Sequence, residues 1–204
     1  MELIGMLDSP FVRRVAVTAR MLGVPYEHNP MSIFRSYEKF REVNPLVKVP
    51  TLVCDDGTML VDSTLIIDYL ESARADGRSL MPANREDRTR ALQVIGVALV
   101  AMEKVAQIVY ERTQRPKDLQ HKPWLNRLTQ QLLAAVGQME IFVGDGSTWL
   151  FGKEISQADI SVAIAWRFTQ ISVPKRVLAD DFPGLVAFSA RAEALPEFIA
   201  CPLD

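Results

Sequence analysis

Histidine and cysteine are scarce in this sequence, with two of each among 204 residues. Cys54 and Cys201 are too few to build a disulfide framework. His28 and His121 have no neighbours at ligand spacing, so we predict no metal site. Neither sign of charge is in excess, because 23 basic residues face 25 acidic ones and the formal net charge is -2. The sequence therefore lacks the basic surplus of a dedicated nucleic-acid-binding protein, and we expect no nucleic-acid partner.

Long hydrophobic runs are also missing. The longest, residues 94–102, is interrupted by Gly96 and falls far short of the ~18 residues that a membrane span needs. Glu2 and Asp8 disfavour the positively charged start of a signal peptide. We therefore expect a cytoplasmic protein without a membrane partner.

Common nucleotide-binding and hydrolase motifs are absent as well. Residues 146–153 resemble a phosphate-binding loop but have one residue too many, and Glu154 stands where serine or threonine is needed. Trp149 replaces the third glycine of a dinucleotide-binding fingerprint. No Gly-x-Ser-x-Gly elbow occurs, so serine-hydrolase chemistry has no support. We predict no nucleotide cofactor.

The sequence does contain 49% apolar residues, enough to form a hydrophobic core. Up to residue 77, its patterns predict the order βαβαββα, with a second strand within 26–33 and a third helix from Thr64 to about residue 75. Residues 55–57 (Asp-Asp-Gly) are a strong hairpin signal. The hairpin makes the last two strands antiparallel, whereas the first βαβ unit is parallel, so the four-stranded sheet is mixed. This order matches the thioredoxin-like plan.

The second half of the chain is predicted to be helical. Residues 77–82 read as a linker, and strand signals stop after them. Residues 85–114 contain no proline and predict one long helix, and a second helix is predicted over 123–143. An α/β half followed by an all-helical half predicts two domains, 1–77 and 84–204, and the fold class α/β plus all-α.

Several residues with reactive side chains have structural explanations. Ser156 and Asp159 have the spacing of a capping box, so we interpret Asp159 as a helix cap and not as a catalytic acid. Cys54 lies in a predicted strand and is expected to be a buried apolar residue. Cys201 is expected to be exposed near the C-terminus.

Ser9 lies between the first predicted strand and the first predicted helix, where thioredoxin-like folds carry a Cys-x-x-Cys pair. Both cysteines are absent from residues 9–12 (Ser-Pro-Phe-Val), which excludes dithiol redox chemistry there. A serine before a helix is often only its N-cap. The hydroxyl, beside the positive end of the helix dipole, can also donate a hydrogen bond to a bound thiolate and lower the pKa of that thiol. The residues alone leave both interpretations open.

Three ordered segments carry a resemblance that covers the whole chain: Ser-Pro-Phe-Val-Arg-Arg-Val at 9–15, Asn-Pro-Leu-Val-Lys-Val-Pro-Thr-Leu at 44–52, and Asp-Ser at 62–63. Together they resemble the cytosolic glutathione S-transferases, in particular bacterial serine-type members near the zeta and theta branches. The resemblance implies that glutathione is a co-substrate whose thiolate attacks a small apolar electrophile. It also implies a homodimer.

The resemblance assigns a glutathione-binding role to residues of the first domain. Ser9 would stabilise the thiolate, and Val49, before a cis Pro50, would pair its main-chain groups with the cysteinyl backbone. Asp62 and Ser63 would hold the ammonium and carboxylate groups of the γ-glutamyl end. Plain alternatives remain, because a proline can open a strand and an Asp-Ser pair can cap a helix.

Four further contacts follow from the same resemblance. Lys48 would approach the glycine carboxylate of glutathione, and Phe11 would contact glutathione beside Ser9. In the helical domain, which completes the electrophile pocket, Tyr110 and Arg112 would contact the second substrate. A solvated helix face is the alternative for these last two residues. The sequence does not name the natural electrophile.

Two other functions fit the same resemblance. A glutathione-dependent isomerase or dehalogenase of this fold would use the same serine, although the zeta pattern Ser-Ser-Cys is here Ser-Pro-Phe at 9–11. A non-catalytic protein-interaction module, as in the stringent starvation proteins, is the other alternative. The presence of Ser9, the Val-Pro pair at 49–50 and the Asp-Ser pair at 62–63 favours glutathione binding.

Overall fold

The computed structural model of the chain describes residues 1–72 and 79–203. The elements are, in order, β1 (Glu2–Ile4), α1 (Pro10–Met21), β2 (Glu27–Asn29), α2 (Tyr37–Val43), β3 (Thr51–Val53), β4 (Met59–Val61), α3 (Ser63–Ser72), α4 (Arg85–Thr113), α5 (Lys122–Val143), α6 (Gln157–Ser172), α7 (Pro183–Glu193) and α8 (Pro196–Ile199). Two compact units contain them. The first unit is Met1–Leu80 with Leu195–Asp204, and the second unit is Met81–Ala194.

The first unit is built on a mixed four-stranded sheet with the strand order β2-β1-β3-β4. β1 runs parallel to β2, with Leu3 opposite His28, and antiparallel to β3. β3 and β4 form the predicted antiparallel hairpin, in which Gly57 takes a φ of 84° that favours glycine. The thioredoxin-like prediction is therefore confirmed. β2 is shorter than the predicted segment 26–33, because Pro30 has no N–H with which to continue the ladder.

Helix α1 has sequence signals at both ends. Pro10 occupies its first turn, where the missing N–H is not needed. After the helix, Gly23 takes a φ of 66°, and the Val24 N–H donates to the Ala19 carbonyl at 2.8 Å in a C-capping turn. α1 contacts α3, α8 and β1. The predicted end of α3 near residue 75 lies outside the described residues.

The C-terminal segment belongs to the first unit, whereas the sequence analysis assigned all of 84–204 to the helical domain. Arg13, on α1, donates from Nε to the Cys201 carbonyl at 2.9 Å and from Nη2 to the Phe198 carbonyl at 3.4 Å. The guanidinium also lies over the Phe198 ring. These contacts bury Cys201, so the prediction of an exposed thiol is wrong, whereas the predicted burial of Cys54 is confirmed.

The second unit is a bundle of four helices, α4 to α7. α4 packs against α5 and α6, and α7 packs against α6 and α5. Glu140, on α5, accepts hydrogen bonds from the main-chain N–H groups of Gly184 and Leu185, each at 2.8 Å. The carboxylate thereby satisfies free donors in the first turn of α7 and lies at the positive end of its dipole.

The start of α6 carries the predicted capping box. The Ser156 side chain accepts from the Asp159 N–H, and the Asp159 carboxylate accepts from the Ser156 N–H at 2.8 Å. The same carboxylate accepts from the Leu150 N–H at 2.8 Å. Burial raises the pKa of Asp159 above its usual value, against the opposing effect of these hydrogen bonds. The structural interpretation of Asp159 is confirmed.

Helix α4 requires one correction to the sequence analysis. Among the described residues, it is the one helix that is long and apolar enough to cross a membrane by length and composition. The sequence analysis considers only the run 94–102, whereas an 18-residue window of α4 is apolar enough even with a glycine and up to two charged residues. The core helix of a water-soluble bundle has the same composition, and α4 packs its buried side chains against α5 and α6.

Candidate functional site

Ser9 stands directly before α1, at the N-cap position. Its carbonyl accepts from the Arg13 N–H at 2.9 Å, which closes the first helical turn. Its hydroxyl makes no capping hydrogen bond to the helix, and the residue is only half-buried. Ser9 therefore occupies the N-cap position, but its side chain does not cap the helix. The hydroxyl stays available at the positive end of the helix.

The segment before β3 contains the predicted cis bond between Val49 and Pro50. The residues around it are tied together: the Thr51 hydroxyl donates to the Lys48 carbonyl at 2.6 Å and accepts from Asn44 Nδ2 at 2.8 Å. Asn44 and Thr51 are fully buried. Val49 itself is half-buried and makes no main-chain hydrogen bond to another described residue. Its peptide groups are thus held in place and remain able to pair.

Asp62 and Ser63 form the turn into α3. Asp62 is exposed and has a φ of 73°, a left-handed conformation that an aspartate adopts more readily than most residues. Its Oδ1 accepts from the Thr64 N–H at 2.8 Å, so part of the carboxylate caps the helix. Ser63 is buried, with 2% of its surface exposed. The helix-cap alternative is therefore correct for Asp62 Oδ1, and the exposed carboxylate also has a second oxygen.

Arg14 lies beneath this turn and was not singled out by the sequence analysis. The side chain is fully buried, and Nη1 donates to Ser63 Oγ at 3.0 Å and to Thr64 Oγ1 at 3.2 Å. Burial lowers the pKa of Arg14 to about 10, although the nearby Asp62 carboxylate opposes this effect. Arg14 is therefore still a cation at neutral pH. An arginine on the otherwise apolar face of α1 is the sequence signal that could have identified it.

The two remaining glutathione candidates are sequence neighbours of Ser9 and Val49. Phe11 is in the first turn of α1 and is half-buried, and Lys48 is exposed directly before Val49. Residues 1–72 and 79–203 contain no group of three or more histidine, cysteine, aspartate or glutamate residues placed to hold a metal.

The second unit has a cavity of about 410 Å³ at the end of α4. Tyr110 and Trp124 line it and are 45% and 40% exposed. Glu111 is buried beside them, where its carboxylate accepts from the His121 N–H at 2.8 Å and pairs with Arg115 at 3.0 Å. This cavity contains one of the two predicted electrophile contacts, Tyr110. The other, Arg112, is exposed and is not among the lining residues.

The comparisons with known proteins cover both units. Residues 3–78 match the sequence model of the glutathione S-transferase N-terminal domain, and residues 101–200 match that of the C-terminal domain. Glutathione transferase GST 23 of Zea mays is 26% identical over 213 residues, covering 95% of this chain and 96% of the relative. The maleylacetoacetate isomerase of Pseudomonas aeruginosa is also 26% identical, covering 91% of this chain and 87% of the relative.

Solved structures agree with these sequence matches. A glutathione transferase family member from Pseudomonas fluorescens Pf-5, solved with bound glutathione, superposes with a TM-score of 0.86 at 25% identity, over 100% of this chain and 98% of that one. A glutathione S-transferase from Methylobacterium radiotolerans, in complex with glutathione sulfonate, has a TM-score of 0.90 at 24% identity, over 100% and 95%. With both domain models matched, the chain belongs to the glutathione S-transferase family.

Proposed function

We propose that the protein binds glutathione in its first unit and activates the thiol through Ser9 for attack on an electrophile. The observation that carries this proposal is the Ser9 hydroxyl, which stands at the N-terminus of α1 without capping it. A free thiol has a pKa of about 8.5 and is mostly protonated at neutral pH. A donated hydrogen bond and the helix dipole both favour the thiolate and lower that pKa.

The remainder of glutathione would be held by residues around Ser9. The N–H and carbonyl of Val49 pair with the cysteinyl backbone in the manner of an added strand. The second carboxylate oxygen of Asp62 binds the γ-glutamyl ammonium, and the start of α3 at Ser63 binds the γ-glutamyl carboxylate. Lys48 offers a charge to the glycine carboxylate, and Phe11 packs beside the thiol.

The reaction needs no cofactor beyond glutathione. The thiol proton leaves to solvent and the sulfur forms a bond to an electrophilic carbon. The electron pair displaced at that carbon leaves with the departing group or enters an adjacent π bond. In this proposal Tyr110 and Trp124 supply an apolar surface for the electrophile in the helical unit.

A glutathione-dependent isomerase is the second candidate, because a maleylacetoacetate isomerase is among the relatives that cover most of the chain. In such a reaction the thiolate adds to a double bond, rotation follows, and elimination restores glutathione. The two candidates differ in stoichiometry, since conjugation consumes one glutathione per turnover and isomerisation consumes none. Both require the same activated thiolate.

The first test is calorimetric binding of glutathione to the full chain, followed by a thiol-conjugation assay with a model aryl halide. Binding with turnover supports the transferase, and binding without loss of thiol directs the search to isomerisable substrates. If glutathione does not bind at millimolar concentration, the protein is a non-catalytic member of the family.

We also propose that the protein is a cytoplasmic homodimer. A monomer by light scattering at micromolar concentration would contradict the dimer.

A further inference from the structure

The hydrogen bonds of Arg14 determine what two hydroxyl groups at the start of α3 can do. A guanidinium nitrogen donates and cannot accept, so Ser63 Oγ and Thr64 Oγ1 both act as acceptors toward Arg14 Nη1. This nitrogen has two hydrogens, one for each hydroxyl. Each hydroxyl still has its own proton. Because the side of each oxygen that faces Arg14 accepts a hydrogen from Nη1, that proton points away from the arginine.

The two hydroxyls differ in their access to a ligand. Ser63 is buried at 2% exposure, whereas Thr64 is exposed. Thr64 also has its N–H bonded to the Asp62 carboxylate at 2.8 Å, which fixes the residue at the helix start. The exposed hydroxyl is therefore a pre-oriented donor beside Asp62, supported from below by a buried cation.

We propose that Arg14 is a positioning residue of the glutathione site: it holds the Ser63 and Thr64 hydroxyls as donors toward the γ-glutamyl carboxylate, and Thr64 is a direct contact of that carboxylate. The inference rests on the proposed glutathione binding and adds two residues to it. A carboxylate accepts hydrogen bonds and repels acceptors, so hydroxyls locked as donors favour it over a neutral group. The Arg14 charge attracts the same carboxylate through Ser63.

The test compares two thiols that differ only at the γ-glutamyl end. Calorimetry measures the affinity of the full chain for glutathione and for cysteinylglycine, which lacks that end. In Arg14→Lys and Thr64→Val we expect glutathione affinity to fall about tenfold, the effect of one hydrogen bond to a charged group. Cysteinylglycine affinity should stay unchanged in both variants. Thr64→Ser keeps the hydroxyl and should retain the affinity of the wild type for glutathione.

Arg13→Lys is the matched control, because Arg13 is the neighbouring buried arginine and its hydrogen bonds go to the carbonyls of Cys201 and Phe198. It should be destabilised while keeping the wild-type ratio of the two affinities. Equal losses for both thiols in Arg14→Lys, or no loss in Thr64→Val, would overturn the inference. If the Arg14→Lys variant does not fold, the glutathione affinity of Thr64→Val decides whether the inference holds. A wild-type protein that binds neither thiol contradicts the proposed function itself, which is a separate outcome.

Discussion

Replacing Asp159 by alanine probes the energetics of the helical unit. The Asp159 carboxylate accepts three hydrogen bonds, from the N–H groups of Leu150 and Ser156 at 2.8 Å each and from the Ser156 hydroxyl at 2.5 Å. Asp159 is fully buried and Ser156 is 6% exposed, so water does not readily replace the lost acceptor at Ser156. The substitution leaves main-chain donors without a partner at the start of α6.

The magnitude follows from these contacts. A buried donor that loses its acceptor costs about 1–3 kcal/mol, which applies to the Ser156 N–H, whereas the half-buried Leu150 N–H loses less. Removing the carboxylate also removes the penalty for burying its charge, which offsets part of this loss. We therefore expect Asp159→Ala to lower the free energy of unfolding by about 2–4 kcal/mol, more than the ~1 kcal/mol typical of an exposed helix cap. In a chain of this length that corresponds to a drop in Tm of roughly 4–16 °C.

Urea denaturation followed by circular dichroism measures this effect. Asp145→Ala is the control, because Asp145 is an exposed aspartate of the same unit that accepts one N–H, from Ser147 at 2.9 Å. It should change stability far less than Asp159→Ala does. Glutathione affinity should be unchanged in both variants. An Asp159→Ala protein that is as stable as the wild type but inactive would refute the reasoning and place Asp159 in the active site.

Three further predictions concern Asp159, Asp62 and Tyr110. Because burial raises the pKa of Asp159, the folded state binds the carboxyl proton more tightly than the unfolded state does. The stability advantage of the wild type over Asp159→Asn should therefore grow as pH falls from 7 toward 4. Urea titrations at several pH values measure this difference. Asp62→Ala should weaken glutathione binding by about 2–3 kcal/mol in calorimetry, because it removes the charge that pairs with the γ-glutamyl ammonium, and unchanged affinity would remove Asp62 from the site. Tyr110→Ala should raise the KM for an apolar electrophile several-fold without changing the KM for glutathione. The control Arg112→Ala, at an exposed residue, should change neither KM. Equal effects of the two substitutions would contradict the assignment of the cavity.

The parts of the fold that follow from short segments could be predicted from the sequence. The capping box at Ser156 and Asp159 spans four residues, and the hairpin around Gly57 depends on a single turn. In both cases the residues that specify the structure are neighbours in the chain. The candidate site residues Ser9, Val49 and Asp62 were also proposed from local segments, through the family resemblance that those segments carry, and their roles stay predictions.

The features that could not be predicted depend on contacts between distant residues. Arg14 reaches Ser63 across 49 positions, and Arg13 reaches Cys201 across 188 positions. A single sequence gives the hydrophobic pattern of each helix but not the partner of a buried cation. The burial of Cys201 was missed for this reason, because the helix that contains Phe198 packs against α1 within the first unit. For Ser9 the sequence left two interpretations open, because serine before a helix is typically a cap, and the structure shows a hydroxyl without a capping bond.

The most direct test of the account is an ultraviolet titration of the thiolate of bound glutathione in the wild type and in Ser9→Ala. One hydrogen bond to a charged group is worth roughly 1.5–3 kcal/mol, so the pKa of the bound thiol should rise by about one to two units in the variant. Turnover near neutral pH should fall about tenfold or more, with a smaller loss at high pH. Ser36→Ala is the matched control, because Ser36 is also an N-cap residue without a side-chain cap bond, and its titration should equal that of the wild type. Superimposable titration curves for wild type and Ser9→Ala would contradict the central claim.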